Sequence, residues 1–401
     1  MKYIVFLGDG MADFPCEELN GNTPLELAKK PNMDFFAKNG VCGMAKTVPD
    51  GMKPGSDTAN LSVMGYAPEV YYTGRSPLEA VSVGVPLNDT DITFRANLVH
   101  ISEDEPYAEK TMIDYSSDEI TTEEASILIN DLAKELNTAE LQLFPGFSYR
   151  HILVWRDGTL DFELTPPHDI SDRKVTDYLP KGEKASVLQD IMEKSFALLK
   201  NHPVNLSRKE RGLRTANSLW IWGEGKKATL PPFEELYGVK GGVVSAVDLI
   251  KGIGLSAKMT CPDIEGATGN IHTNFDGKAQ TAIELLKDHD MLYVHIEAPD
   301  ECGHRHEVEN KVKAIELIDE KIISPIISYL KENNEDYRVL LMPDHPTPLA
   351  LRTHVSDPVP FVIYDSRKHE NGVISYTEKE CEKTGLYVDK ASTLMKTLIT
   401  K

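Results

Sequence analysis

The stretch MLYVHIEAPDECGH, residues 291–304, decides the fold class of this chain. Its first six residues are rich in β-formers and lack the strict alternation of a half-exposed strand. Such a run predicts a strand that is buried on both faces, as in a parallel sheet. An acid, Asp300, follows the run, and His304 comes four residues later. The stretch therefore predicts a buried strand whose carboxyl end leads into polar, chemically active side chains.

Similar runs lie towards both ends of the chain, at residues 4–7, 339–342 and 361–364. Helical signals fall between them. Thr23 and Pro24 offer an N-cap and a proline at the first helical position. A longer helix is predicted over 311–331, because apolar residues recur there at helical spacing: Val312, Ile315, Ile318, Ile322 and Ile326. Strands that alternate with helices at both ends predict a doubly wound α/β core.

The middle of the chain has a different pattern. Polar segments separate strand-like pieces at 91–100 and 150–158 from helical pieces at 125–136 and 187–201. This mixture predicts an α+β domain over 77–219, inserted into a discontinuous core domain formed by 1–76 and 220–401.

Acids and histidines follow the predicted core strands. In open α/β sheets, ligands bind beyond the carboxyl ends of the strands. Carboxylates and imidazoles together suit Mn, Zn or Fe dications. The residues concerned predict one or two metal sites: Asp9, Asp300, His304, Asp344, His345 and, further along the chain, His354.

Each of these residues also has a structural explanation. An acid after a strand is commonly a helix cap or a turn former, and a lone histidine in a loop is usually solvated. His306 is a rival to His304 for the metal role. His295 and Glu297 belong to the strand run itself, where core packing is the expected role.

The composition excludes several classes of protein. The formal net charge of −20 argues against nucleic-acid binding, which requires clustered Lys and Arg. No apolar run approaches the roughly 18 to 20 residues that span a bilayer, so no membrane association is expected. The 5 cysteines form no CxxC pair, which fits a reducing cytoplasm. An anionic substrate would need a local positive site against this overall charge, and bound metal dications would supply one.

A second signal is the segment GMKPGSDTANLSVMGY, residues 51–66. Pro54 and Gly55 predict a sharp turn, Ser56 takes an N-cap position, and 57–64 predicts a helix. A helix N-terminus favours phosphate, and a metal can make a hydroxyl nucleophilic. The alternative is a plain capping serine. No histidine lies nearby in sequence to form a Ser-His-Asp arrangement.

The blocks GDGMAD, PGSDTANLSVMGY, APDECGH, MPDH and THV occur in an order that resembles the archaeal-type cofactor-independent phosphoglycerate mutases of the alkaline phosphatase superfamily. The resemblance extends along the whole chain, including LPPFEELYGVKGGVVSAVDLIKGIG and TGNIHTNFDGKA. It implies an alkaline-phosphatase-like core and interconversion of 3- and 2-phosphoglycerate through a phosphoserine, without 2,3-bisphosphoglycerate.

The resemblance also implies roles for particular residues. Ser56 would be the nucleophile. Asp9, Ser56, Asp344 and His345 would hold one divalent metal, and Asp300, His304 and His354 the other. Manganese is the expected metal, with magnesium, zinc or cobalt as alternatives, and no organic cofactor is implied.

The inserted domain would then be a substrate-binding lid, because a mutase must exclude water and retain the glycerate. Arginines that could clamp a carboxylate are Arg95, Arg150 and Arg173. Lys240 resembles a basic position near the phosphate. His168 and Asp169 could move protons at the glycerate hydroxyls.

Other functions share this centre. A homoserine kinase would use the same metals and serine with another acceptor, although the chain has no Walker-type loop. A phosphopentose mutase would carry a different insertion, and a simple phosphate or sulfate esterase would not need one. A metal-binding protein without catalysis would lack a ligand or the nucleophile, and all are present here.

Overall fold

The computed structural model describes residues 1–400. The strands in this range are β1 (Lys2–Gly8), β2 (Val41–Ala45), β3 (Ile92–Ile101), β4 (Met112–Asp114), β5 (Leu141–Phe147), β6 (Arg150–Trp155), β7 (Ser218–Lys226), β8 (Gly241–Val244), β9 (Met291–Ile296), β10 (Tyr337–Met342), β11 (Val359–Asp365) and β12 (Tyr387–Val388).

The helices in the same range are α1 (Pro24–Leu27), α2 (Pro31–Asn39), α3 (Ser56–Val63), α4 (Pro68–Tyr71), α5 (Ser76–Ser82), α6 (Thr122–Leu136), α7 (Ala185–Leu199), α8 (Pro203–Glu210), α9 (Phe233–Tyr237), α10 (Asp248–Ser256), α11 (Phe275–Leu285), α12 (Ala298–Arg305), α13 (Val308–Leu317), α14 (Ser324–Glu332), α15 (Glu378–Glu382) and α16 (Leu394–Thr400). Among residues 1–400, none of them combines the length and the apolar character that crossing a bilayer requires.

Contacts divide the described chain into two units. The first comprises Met1–Tyr72 and the chain from Thr229 onward, and the second comprises Thr73–Ala228. The insertion predicted over 77–219 falls inside the second unit. The first unit is therefore assembled from both ends of the chain.

The first unit contains a mixed sheet. Within residues 1–400 it has seven strands in the order β12-β2-β11-β10-β1-β9-β8. The strand β1 runs parallel to both neighbours, so that Val5 lies opposite Leu340 of β10 and Tyr293 of β9. All four runs predicted as strands are strands, and the predicted α/β class is confirmed. The last of them, β11, is antiparallel to β10 and to β2.

The central strands are buried on both faces, as their composition predicts. Every residue of β9 and β10 is buried. Ile4 and Phe6 of β1 join a large apolar cluster with α2, α11 and α14. Val5 and Leu7 point to the opposite face and are buried as well, since successive strand residues alternate.

The predicted helices are present, with one difference. Thr23 forms a capping box with Glu26 at the start of α1. The helix predicted over 311–331 is interrupted, because the backbone widens into a π-helical turn at Ile318–Ile323 before α14 begins. The second residue of α14 is Pro325, which lacks the N–H that an unbroken α-helix needs there. The apolar side chains of this segment still point into the core.

The second unit contains a sheet built on β3. Within residues 1–400 this sheet has five strands, in which β3 pairs with β4, β6 and β7, and β6 also pairs with β5. The helices α6 and α7 pack apolar residues against the sheet. Ala80 of α5 packs on Ile152 and Val154 of β6 in a separate small cluster. The strand-like and helical pieces predicted in this region correspond to β3, β6, α6 and α7.

Candidate metal centre and nucleophile

Acidic and imidazole side chains meet at the carboxyl ends of β1, β9 and β10 in the first unit. The parallel register aligns these ends, since Leu7 of β1 lies opposite His295 of β9 and Met342 of β10. Asp9 directly follows β1, α12 carries Asp300 after β9, and Asp344 follows β10. The side chains therefore converge because the strands are parallel and end at the same edge.

Gly10 makes this close approach possible. Its φ of +61° lies in the left-handed region, and a Cβ there would come within 2.7 Å of the Asp300 Cα. Its backbone N–H donates to Asp344 Oδ1 at 3.1 Å. The Gly-Asp-Gly sequence at the end of β1 thus combines an acid with a backbone that neighbouring elements can approach closely.

Asp300, His304 and His354 form the first group with the geometry of metal ligands. Asp300 and His304 lie one turn apart on α12, with His304 Nε2 3.3 Å from Asp300 Oδ2. His354 Nε2 lies 3.4 Å from Asp300 Oδ1 and 2.9 Å from His304 Nε2. One carboxylate and two imidazole nitrogens therefore point at a common position.

Asp9, Asp300 and His345 form the second group, so that Asp300 is shared. His345 Nε2 is the centre of this group. It lies 3.6 Å from Asp9 Oδ1, 3.3 Å from Asp344 Oδ2 and 3.2 Å from Ser56 Oγ. The structure thus brings together Asp9, Ser56, Asp344 and His345, the residues assigned from sequence to one metal.

The electrostatics of the two groups fit bound cations. Burial, followed by the negative charges of Asp344 and Asp300, raises the pKa of Asp9 well above its usual range. Asp9 Oδ1 is buried and has no hydrogen-bond partner among residues 1–400. A buried carboxylate oxygen without a partner is costly unless it is protonated or ligates a metal. The donor set, made of carboxylate oxygens and imidazole nitrogens, suits Mn or Zn.

The first group already favours an ionised carboxylate. Burial opposes ionisation of Asp300, but the contacts from His304 and His354 outweigh it and hold its pKa well below the usual range. The same contact with Asp300 raises the pKa of His304 to about 9. Burial lowers the pKa of His345, which favours its neutral, metal-binding form.

Ser56 is the first residue of α3 and is not a capping residue. The N-cap is Gly55, which has an extended backbone, and no side chain caps this helix end. The Ser56 hydroxyl instead lies 3.2 Å from His345 Nε2. The N-cap position predicted for Ser56 is therefore wrong by one residue, and the hydroxyl is directed towards the group of acids and histidines.

Side chains that the sequence analysis missed hold this centre in place. Asn60, one turn after Ser56 on α3, donates from Nδ2 to Asp344 Oδ2 at 2.7 Å. The hydroxyl of Tyr293 donates to Asn60 Oδ1 at 2.6 Å. His295, for which core packing was expected, lies 2.9 Å from Asp9 Oδ2. The sequence does contain a signal for this role. Tyr293 and His295 are two residues apart on β9, so that both polar side chains lie on the same face of an otherwise apolar strand.

A buried ion pair joins two of the loops that carry the acids. Lys311 of α13 places Nζ 2.7 Å from Asp13 Oδ2, in the loop after β1. The same Nζ donates to the carbonyl oxygen of Thr347, in the loop after β10, at 2.8 Å. Thr347 in turn donates from Oγ1 to Asp300. One ammonium group therefore ties both loops to α13.

The structure separates two other candidates from the centre. His306, the rival to His304, lies 2.9 Å from Glu18 Oε1 through Nε2 and contacts the carbonyl of Leu349 through Nδ1. Lys240 directly precedes β8, and its Nζ contacts Asp288 Oδ2 at 3.1 Å. Since the acids follow the carboxyl ends of the parallel strands, Lys240 lies at the opposite end of the sheet. The position of Lys240 therefore argues against the role near a phosphate that was predicted for it.

The second unit has a separate cluster of basic and aromatic groups. Arg95 Nε lies 3.0 Å from Glu79 Oε2, and the Arg95 guanidinium stacks on Trp222, with Cζ 4.4 Å from the ring centroid. Burial lowers the pKa of Arg95 to about 10, and the charges of Arg75 and Arg150 act in the same direction, whereas Glu79 opposes them. The cluster thus contains three arginines, Arg75, Arg95 and Arg150, around one acid, Glu79.

His168 adjoins this cluster, whereas Arg173 does not. The His168 ring lies 5.4 Å from Trp222 and 6.0 Å from Tyr115, centroid to centroid. Burial lowers the pKa of His168, so that the imidazole is neutral at pH 7. Asp169 is exposed and lies 3.7 Å from His168. Arg173 is an exposed residue that donates to the Tyr178 hydroxyl at 3.2 Å.

Comparisons with known proteins extend along the whole chain. A family model described as 2,3-bisphosphoglycerate-independent phosphoglycerate mutase matches residues 37–205, and one described as type I phosphodiesterase / nucleotide pyrophosphatase matches residues 170–350. Two curated relatives named 2,3-bisphosphoglycerate-independent phosphoglycerate mutase are each 47% identical to this chain. The one from Methanosarcina barkeri aligns over 100% of this chain and 99% of its own length, and the one from Methanothrix thermoacetophila over 100% of both.

Solved structures are similar as well. The PH0037 protein from Pyrococcus horikoshii matches with a TM-score of 0.83 and 31% identity, covering 99% of this chain and 96% of that one. The cofactor-independent phosphoglycerate mutase from Thermoplasma acidophilum matches with a TM-score of 0.68 and 25% identity, covering 99% of both chains. The fold of this chain is thus similar to that of both proteins over nearly their full length.

Proposed function

Because this chain belongs to the family of 2,3-bisphosphoglycerate-independent phosphoglycerate mutases, we propose that it interconverts 3-phosphoglycerate and 2-phosphoglycerate without 2,3-bisphosphoglycerate. The observation that carries the proposal is the position of Ser56 Oγ, which lies 3.2 Å from His345 Nε2, the atom that is also 3.3 Å from Asp344 and 3.6 Å from Asp9. A serine placed in this way can accept a phosphoryl group and return it.

Two divalent ions, for which we propose Mn²⁺, fit the donor atoms of the first unit. Asp300, His304 and His354 would hold one of them. Asp9, Asp344 and His345, with Ser56 Oγ, would hold the other. When bound, such ions neutralise charge on the phosphoryl oxygens and lower the pKa of a hydroxyl.

The chain's own groups then carry out the transfer. Ser56 Oγ forms a bond to phosphorus as the bond from phosphorus to the glycerate oxygen breaks. The hydroxyl proton leaves Ser56, and the departing glycerate oxygen gains one. In the second step the other glycerate hydroxyl loses its proton and its oxygen forms a bond to the phosphorus of the phosphoserine. The bond between phosphorus and Ser56 Oγ breaks, and Oγ regains a proton. We assign proton movement at the glycerate hydroxyls to His168, since it is neutral at pH 7, with Asp169 beside it.

The arginine cluster of the second unit is our candidate for binding the carboxylate of the substrate. Arg95 and Arg150 belong to it, because the charge of Arg150 acts on the pKa of Arg95. Glu79 and Trp222 hold the Arg95 guanidinium from two sides, which reduces the entropy lost when it binds an anion. Arg173 is left out because it is exposed and contacts Tyr178.

We expect Arg95→Met to raise the KM for 3-phosphoglycerate by about 10- to 100-fold, because a hydrogen bond to a charged group contributes about 1.5–3 kcal/mol. Arg173→Met is the matched control and should leave KM unchanged. Steady-state kinetics of both variants, together with their circular dichroism spectra, measure the difference. A larger KM increase in Arg173→Met than in Arg95→Met would contradict the assignment.

The reaction itself is tested by supplying purified protein and Mn²⁺ with 3-phosphoglycerate, without bisphosphoglycerate, and coupling 2-phosphoglycerate to enolase. A parallel assay supplies ATP and homoserine. We expect product only in the first assay, because the full-length relatives are named as mutases. Phosphorylated homoserine with no 2-phosphoglycerate would instead establish a kinase on the same scaffold.

A further inference from the structure

His295 lies in a chain of hydrogen bonds that ends at Asp9. The imidazole is fully buried on β9, with Nε2 2.9 Å from Asp9 Oδ2 and Nδ1 3.1 Å from Ser245 Oγ. Ser245 Oγ also accepts the backbone N–H of Val247 at 3.0 Å. Both ring nitrogens are therefore occupied, and the histidine joins the end of β8 to the acid that follows β1.

The two ends of this series of hydrogen bonds determine which atom donates and which accepts in each bond. The Val247 N–H donates to Ser245 Oγ, and an ionised Asp9 can only accept, so that His295 Nε2 is the donor to Asp9 and the Ser245 hydroxyl hydrogen is directed at His295 Nδ1. A neutral imidazole then carries its hydrogen on Nε2. That hydrogen points at Asp9 Oδ2, which accepts it when the carboxylate is ionised.

This arrangement leaves Asp9 with one free oxygen. Oδ2 is taken by His295, whereas Oδ1 is buried, has no hydrogen-bond partner among residues 1–400 and lies 3.6 Å from His345 Nε2. We propose that His295 is a positioning residue, which with Ser245 holds Asp9 so that Oδ1 alone is presented to the metal. The inference rests on the metal centre of the proposed function and adds a residue to it.

The neighbouring position on β9 supports this role independently. Tyr293 lies two residues before His295, and side chains two apart share a face of a strand. The Tyr293 hydroxyl donates to Asn60, and Asn60 donates to Asp344 Oδ2. The same face of β9 thus supports two carboxylates, Asp9 through His295 and Asp344 through Tyr293 and Asn60. Partners of this kind, which orient metal ligands, typically change metal affinity by about 10- to 100-fold when they are removed.

The test is Mn²⁺ binding to the full chain, stripped of metal with a chelator and measured by isothermal titration calorimetry. We expect His295→Phe, which removes the donor but keeps a ring, to weaken one of the two binding steps by about 10- to 100-fold. Ser245→Ala should weaken the same step by less, since it removes only the group that fixes the tautomer. His295→Gln should restore much of the affinity, because its amide can donate to Asp9.

His289→Gln is the matched control. His289 is buried in the same unit but lies two residues before the start of β9, where it contacts Thr260 and Asp288. Unchanged Mn²⁺ affinity in folded His295→Phe and Ser245→Ala, or an equal loss in His289→Gln, would overturn the inference. If His295→Phe does not fold, the Mn²⁺ affinities of Ser245→Ala and His289→Gln are compared instead, and only Ser245→Ala should bind Mn²⁺ more weakly than wild type. Wild-type protein that binds no Mn²⁺ would refute the metal centre itself, whereas normal binding in wild type and variants alike refutes only the role of His295.

Discussion

Replacing Ser56 with alanine is expected to lower mutase turnover by at least about 1,000-fold, because it removes the hydroxyl that takes the phosphoryl group in the proposed mechanism. The fold should remain, since Ser56 makes no capping bond and alanine is the better helix former at the start of α3. Mn²⁺ binding should weaken less than turnover, because the acids and histidines around Ser56 are unchanged.

The measurement combines the enolase-coupled rate with a search for the covalent intermediate. Wild-type protein quenched with acid during turnover of labelled 3-phosphoglycerate should retain label on Ser56, and the variant should retain none. Ser62→Ala is the matched control, since Ser62 lies on the same helix and is absent from the metal groups. Wild-type turnover in Ser56→Ala would remove the covalent mechanism.

Removing the metal should silence the enzyme by at least about 100-fold, and Mn²⁺ should restore it. Asp9, Asp300 and Asp344 are buried near one another, and the charges of the other two raise the pKa of Asp9. A cation relieves this repulsion, so that the metal should also stabilise the fold. Free Mn²⁺ at a concentration of 100 times its Kd would add about 2.7 kcal/mol to the free energy of unfolding.

The assay is EDTA treatment, dialysis and titration with Mn²⁺, with activity and Tm measured at each step. His304→Ala and His306→Ala provide a matched pair of variants. His304 points at Asp300 and His354, whereas His306 contacts Glu18. Only His304→Ala should weaken Mn²⁺ binding, by at least about tenfold. Full activity of the metal-free protein would exclude a two-metal mechanism.

Much of the fold was predictable because the decisive signals are local. Buried strands have a recognisable composition, and the acids that follow β1, β9 and β10 stand at fixed distances from them in the sequence. The predicted alkaline-phosphatase-like core agrees with the phosphodiesterase family match and with the Thermoplasma acidophilum structure. The metal-ligand roles of the convergent residues remain predictions that the titrations above test.

What the sequence did not reveal depends on tertiary structure. His295 and Tyr293 look like core residues until β1 and α3 are placed against β9, because their partners lie more than 200 residues away. Lys240 was assigned by resemblance, although its place before a strand, at the amino end, already argued against a contact with ligands bound beyond the carboxyl ends. Arg95 and Arg173 were both candidate clamps by residue type, and the structure distinguishes them by their contacts, since Glu79 and Trp222 hold Arg95 whereas Arg173 is exposed.

The order in which strands appear along the chain also determines when the centre can form. The strand β1 occupies Lys2–Gly8, yet both of its partners, β9 and β10, begin at or after Met291. At a synthesis rate of about 5–20 residues per second, β1 leaves the ribosome roughly 15 to 60 seconds before it can pair. The strands β3–β7 are complete by Lys226 and can pair during that interval. Asp9 and Ser56 are thus made well before His345, and they can meet it only after the whole segment between them has been synthesised.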